Sequence, residues 1–154
     1  GETQMISEML KLENIQIIES AKDWKEAIHL SLEPLVNGGY VTENYEAAII
    51  KCTEEYGPYY VLADDIALIH GRPEDGVLEK QLSITVVRQP IQFMNDGQNV
   101  RVLIALGASD ANSHIDVMKV LSLLLMDESK IKELAEATSE QQIYEMLTKA
   151  ESNL

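Results

Sequence analysis

The sequence holds three histidines, His29, His70 and His114, and a single cysteine, Cys52. A neutral imidazole offers a free lone pair near neutral pH and is a good nucleophile there. His70 sits in "IALIHGRPEDGV", Ile66 to Val77, directly after four apolar residues and before Gly71, Arg72 and Pro73. Ile66 to Ile69 reads as a short buried strand, ended by Gly71 and Pro73 because neither suits a sheet interior. The imidazole is therefore expected where a buried strand meets a surface loop, held from below and open above. Such a ring is either a nucleophile or a histidine hydrogen-bonded at a strand end.

His114 follows "GASDANS", a run of small and polar residues between a strand and a helix. Asp110, Asn112 or Ser113 could cap that helix and place His114 in its first turn. The N–H groups of a helix N-terminus favour a bound anion and disfavour a cationic ring beside them. A phosphoryl group on His70 could be received there, provided the fold unites the two segments. His29 lies mid-helix between Ile28 and Leu30 and reads as structural or half-exposed. Arg72 is the nearest cation to His70. Its planar fork of donors could neutralise phosphate oxygens or pair with Glu74 or Asp75. The pairs Glu54–Glu55 and Asp64–Asp65 read as solvated surface, since adjacent carboxylates point in different directions.

Several chemistries find no pattern to use. One cysteine and three scattered histidines give neither HExxH nor CxxC spacing for zinc. Neither a P-loop nor a GxGxxG run supports a nucleotide cofactor, and without a Gly-x-Ser-x-Gly elbow a serine hydrolase loses its motif. No cofactor and no metal are expected. With 12 basic and 26 acidic residues the net charge is −14, which repels nucleic acid and favours a basic protein partner. A lone cysteine, no apolar run of membrane-spanning length and no signal-peptide pattern lead to the expectation of a cytoplasmic protein.

The elements that must position these residues follow from patterning over 154 residues, read as one domain spanning 1–154. "ENIQIIES", Glu13 to Ser20, reads as a first strand. "SAKDWKEAIHLSLEPLVNGGY" follows as a helix burying Trp24, Ala27, Ile28, Leu32, Leu35 and Val36, closed by Gly38-Gly39. A second helix opens at Thr42 and ends at Gly57-Pro58, with Tyr45, Ala48, Ile49 and Cys52 on one face. "YYVLADD", "IALIH", "LSITVVRQ" and "VRVLIALGA" are short aliphatic strands, nearly apolar throughout, as expected when helices cover both sheet faces. Asn95-Asp96-Gly97 marks a turn between the last two. Three helices close the chain, with Asp127 and Thr138 or Ser139 as their starters. This order predicts a three-layer α/β domain with a mixed β-sheet flanked by helices.

Taken together, "IALIHGRPEDGV" and "SDANSHIDVMKVLSLLL" resemble the two active segments of the mannitol/fructose-type enzyme IIA domains of the phosphoenolpyruvate-dependent sugar phosphotransferase system. Ala67, Leu68, His70 and Gly71 match the Ala-hydrophobic-Pro-His-small stretch, with Ile69 where proline is usual. "GPYYVLADDIAL" and "RPEDGV" look most like the ascorbate-type branch. The resemblance covers the chain from Glu13 onward and implies the mannitol-type enzyme IIA fold.

It also implies a phosphocarrier. His70 would take a phosphoryl group from the phosphohistidine of HPr and pass it to a cysteine of a cognate IIB protein or domain. His114 would support the phosphorylated site, and Arg72 and Ser113 are candidates for binding the phosphate. The membrane IIC component would be an indirect partner, and the cargo ascorbate or a related sugar acid or pentitol. The arginine that supports the phosphate in mannitol-type members aligns without gaps to Glu54. An alternative is a regulatory or degenerate IIA-like domain that binds partners and reports transporter phosphorylation.

Overall fold

The computed structural model describes residues 5–94 and 97–152. Five strands, β1 (Leu10–Ile18), β2 (Val61–Ala63), β3 (Asp65–Ile69), β4 (Gln81–Gln92) and β5 (Asn99–Gly107), form one sheet in the order β1–β4–β5–β3–β2. β1 runs parallel to β4 and β3 parallel to β5, while β4–β5 and β2–β3 are antiparallel. The sheet is mixed, as the sequence leads one to expect.

Helices cover both faces. Alternation along β3 sends Ile66 and Leu68 to one side and Ala67 and Ile69 to the other. The first side packs on α1 (Met5–Met9), α4 (Ala111–Leu125), α5 (Glu128–Ala135) and α6 (Glu140–Ser152) through residues such as Ile6, Val117, Leu121, Ile131 and Leu147. The second packs on α2 (Trp24–Asn37) and α3 (Glu43–Tyr56) through Ile28, Leu32, Leu35, Tyr45 and Ile49. Burial on both faces explains why the strands read as unbroken aliphatic runs. The three-layer α/β architecture is therefore that of the sequence reading.

Helix ends follow their capping chemistry. Asp23 accepts from the Glu26 N–H at 2.9 Å, and Asp127 accepts from the Ser129 N–H at 3.0 Å. Ser139 accepts from Gln142 N–H at 3.2 Å, which makes it, of the two proposed starters, the residue that caps α6. Thr42 occupies the N-cap position of α3 without a side-chain cap bond. Its backbone N–H instead donates to the Gly76 carbonyl at 2.9 Å. Gly76 sits at φ 143°, and a Cβ there would fall 2.1 Å from the Thr42 Oγ1, so only glycine permits this approach.

Some boundaries differ from the patterning. The first strand begins at Leu10, not Glu13, with an irregular register between Leu10 and Ile15. α1 precedes it and is too short to show helical periodicity. "YYVLADD" divides: Tyr59 and Tyr60 form a turn before β2, and Asp65 opens β3. β4 continues through Pro90 to Gln92, where the reading stopped at Gln89. Its pairing with β1 ends at Val87, and the β5 register shifts between Val86 and Ile91, so the proline falls on a local edge. Asn95 and Asp96 of the proposed turn lie outside the described residues.

Candidate active site

β3 and β5 are adjacent parallel strands, with Ile69 opposite Ala105, so both deliver their carboxyl ends to the same edge of the sheet. His70 follows β3 directly, and Ala108 to Asp110 lead from β5 into α4, whose first turn holds His114. Crevices at the carboxyl ends of such strands are where α/β folds place their ligands. The topology thus brings the two histidines together. Their ring centroids lie 5.2 Å apart with the planes tilted by 53°.

His70 is half-buried, and its Nδ1 lies 2.7 Å from the Leu68 carbonyl oxygen. A carbonyl only accepts, so Nδ1 carries the proton and Nε2 of the neutral ring keeps its lone pair. Burial pulls the His70 pKa below its ordinary 6.5. The Leu68 carbonyl opposes that shift and charge on His114 adds to it. Near neutral pH the ring is neutral with a fixed tautomer.

The backbone after the ring is held by two tyrosines. The Tyr59 hydroxyl donates to the His70 carbonyl at 2.6 Å, and the Gly71 N–H donates to the Tyr45 hydroxyl at 2.9 Å. Tyr45 in turn donates to the Leu106 carbonyl of β5 at 2.7 Å. The Tyr59 ring stands edge-on to the imidazole with centroids 5.6 Å apart. The sequence reading assigned Tyr45 to an apolar helix face and Tyr59 to a strand, and so missed both contacts. For Tyr45, fully buried, a hydroxyl that must find a partner was the available signal.

Arg72 makes the ion pair with Asp75 that the sequence allowed, Nη2 to Oδ1 at 3.2 Å and Nε to Oδ2 at 3.2 Å. It remains 72% exposed and lines the same groove as His70, with Ala48, Cys52 and Tyr56 of α3 opposite. Ala48 and Cys52, read as sharing a helix face with Tyr45 and Ile49, are half-buried and form this groove wall. Ser113 lies in the first turn of α4, and its side chain is outside the described residues.

The remaining candidates are placed elsewhere. Glu54 pairs with Lys25 at 3.1 Å on the surface, and His29 lies between Glu46 and Glu33. Asp65 is not the simple solvated acid expected. At φ 72° it receives two hydrogen bonds from Arg101, at 2.9 and 2.8 Å, in a half-buried pair across β3 and β5. Its distance from the histidines in the strand register makes it a structural brace.

Residues 8–150 match the family model described as the phosphoenolpyruvate-dependent sugar phosphotransferase system, EIIA 2. The chain belongs to this family. It is 39% identical to the mannitol-specific cryptic phosphotransferase enzyme IIA component of Escherichia coli K12, over 94% of this chain and 98% of that one. The solution structure of the Escherichia coli protein of that description has a TM-score of 0.86, covering 94% of this chain and 99% of the other. Identity to the ascorbate-specific EIIA component of Escherichia coli K12 is 32%, over 87% and 88% of the two chains. The enzyme IIA in a complex of mannitol IIA with phosphorylated IIB, also from Escherichia coli, gives a TM-score of 0.77 at 33% identity, covering 92% of this chain and 99% of that one. Enzyme IIA components are phosphotransferase proteins that carry phosphoryl groups in sugar transport, and the mannitol-type α/β fold is the one observed. Among the described residues no helix is long and apolar enough to cross a membrane.

Proposed function

We propose that the chain acts as one enzyme IIA domain whose His70 accepts a phosphoryl group from the phosphohistidine of HPr and donates it to a cysteine of a IIB partner. The observation that carries this reading is the bond from Nδ1 of His70 to the Leu68 carbonyl, which leaves Nε2 as the free nucleophile. In the first step an Nε2–P bond forms, the donor's N–P bond breaks, and its electron pair returns to the donor imidazole. In the second, a IIB thiolate attacks phosphorus, an S–P bond forms, and the His70 N–P bond breaks. Such transfers need alignment and charge neutralisation, and little other chemistry from the protein.

His114 and the start of α4 are the neutralising side of the site, with Ser113 as a further phosphate contact and Arg72, held by Asp75, as a nearby positive charge. The IIB-bound relative supports the choice of acceptor. We place the protein in the cytoplasm, acting through IIB on a membrane IIC component. The cargo we propose is ascorbate or a related sugar acid or pentitol. The mannitol- and ascorbate-specific relatives support a polyhydroxylated compound of that kind.

The test is phosphoryl transfer from phosphoenolpyruvate through enzyme I and HPr to the native chain, His70→Ala and His114→Ala. Acid-labile phosphate is expected on the native protein, absent from His70→Ala, and slowed by about 100-fold in His114→Ala. An unlabelled native chain beside fully phosphorylated HPr would replace the carrier by a domain that only binds partners.

A further inference from the structure

The peptide unit joining His70 to Gly71 has a tyrosine hydroxyl at each end. Tyr59, from the turn before β2, donates to its carbonyl at 2.6 Å. Tyr45, from α3, accepts from its N–H at 2.9 Å. Both polar groups of this peptide are thus met by side chains, from two separate elements.

The need for such bonds comes from Gly71. A Cβ at that position would lie 3.0 Å from the Ile49 Cγ1, which favours glycine. Glycine leaves its own backbone angles free, so the planar unit before it could turn with little intrinsic resistance. Ile69 does not fix its own φ as a proline would, so the approach to His70 is not stiffened by a ring either. Without its two bonds the 70–71 unit and the loop after it are free to shift, which moves the His70 Cα and carries Nδ1 out of line with the Leu68 carbonyl.

We infer that Tyr45 and Tyr59 are positioning residues for phosphoryl transfer, a two-hydroxyl clamp that fixes the His70–Gly71 peptide and through it the aim of the imidazole. The inference rests on the phosphocarrier reading of His70 and adds to it the groups that hold the nucleophile in line. Burial pushes the pKa of both hydroxyls up to about 12, so each keeps its proton near neutral pH. Tyr59 is then able to donate. Tyr45 donates to Leu106 while accepting from Gly71, which also ties the end of β3 to the end of β5. The clamp therefore spans the two strands that deliver His70 and His114.

Tyr45→Phe, Tyr59→Phe and the double variant test this in the full chain, with enzyme I and HPr as donors. Each substitution keeps the ring and removes only the hydroxyl. Each single variant is expected to slow transfer from phosphorylated HPr by about 5- to 10-fold, a misalignment effect. The double variant should lose about as much as either single, because releasing one end already frees the peptide.

Nitrogen-15 spectra of the unphosphorylated protein give the second readout. The native His70 should show the Nδ1-protonated tautomer, and the variants a mixture with the Nε2-protonated form. Tyr59 is half-exposed, so Tyr59→Phe carries the test if Tyr45→Phe fails to fold. A Tyr59→Phe protein with native rate and native tautomer overturns the clamp, as do single losses that simply multiply. A native chain that takes no phosphate overturns the carrier reading and the clamp's part in transfer. The tautomer shift still decides whether the hydroxyls aim the ring.

Discussion

His29 and His70 are the same side chain in opposite settings. His29 stands on the outer side of α2, 54% exposed, with Glu46 2.9 Å from Nδ1 and Glu33 3.6 Å from Nε2. His70 stands at the end of β3, half-buried, with a neutral carbonyl on Nδ1 and a second histidine ring beside it. Carboxylates facing both nitrogens make the imidazole a surface polar partner of Glu33 and Glu46. A single carbonyl selects the tautomer without offering a counter-charge, and leaves the other nitrogen to react. Residue type therefore decides little here; what each ring nitrogen faces decides the role.

Acid pH should separate the two settings most. The His70 pKa lies below 6.5 because burial penalises the charged ring. Its neutral form is thus present at neutral pH and is lost only as pH falls through the lowered value. Acceptance of phosphate should stay level down to pH 6.5 and then drop, by about tenfold per unit once well below the pKa. A depressed folded pKa also means that the associated stability is present above 6.5 and declines as pH falls through the folded value. Titrating the His70 ring by NMR beside the labelling rate checks both. A midpoint at or above 6.5 would show that burial does not set the behaviour of this ring.

How much of this arrangement the residues disclose in advance varies from element to element. The place of His70 was legible because an aliphatic run stopped by glycine and proline reads as a strand end. His114 was legible because small polar residues before an apolar helix mark its start. The layers followed from strands apolar on both faces. The tyrosine hydroxyls were not legible, since Tyr45 and Tyr59 reach the 70–71 peptide from 26 and 11 residues away. Local patterning sees Tyr45 only as bulk on the buried face of α3. The same blindness explains Asp65, whose pairing with Arg101 is made 36 residues apart by the parallel register of β3 and β5. It explains Pro90 as well: a breaker in isolation, it is tolerated because it follows the Gln89 N–H bond to the Glu19 carbonyl, and β1 pairing has ended at Val87.

Arg72→Gln sharpens the comparison at the next level of effect. The guanidinium lines the His70 groove yet is held by Asp75 and is mostly exposed, so its field at the phosphate is screened. Transfer should slow by about threefold at low salt and by less at physiological salt. Rates measured at two ionic strengths check this. A loss above about 30-fold, insensitive to salt, would mean that Arg72 leaves Asp75 and grips the phosphoryl group directly.

His29→Gln should have the smallest effect. The change removes one ion-pair partner from Glu33 and Glu46 at an exposed site, and such pairs contribute about 0–1 kcal/mol. Glutamine can still donate one hydrogen bond to Glu46, so the loss in denaturant unfolding should lie at the lower end of that range. Labelling should remain within about twofold of native, because His29 does not line the His70 groove and salt screens an exposed charge. A His29→Gln protein as slow as His114→Ala would break the comparison at its base. The acidic surface around α2 would then be part of the path by which the phosphoryl donor docks, and a carboxylate-held histidine could no longer be set aside as inert.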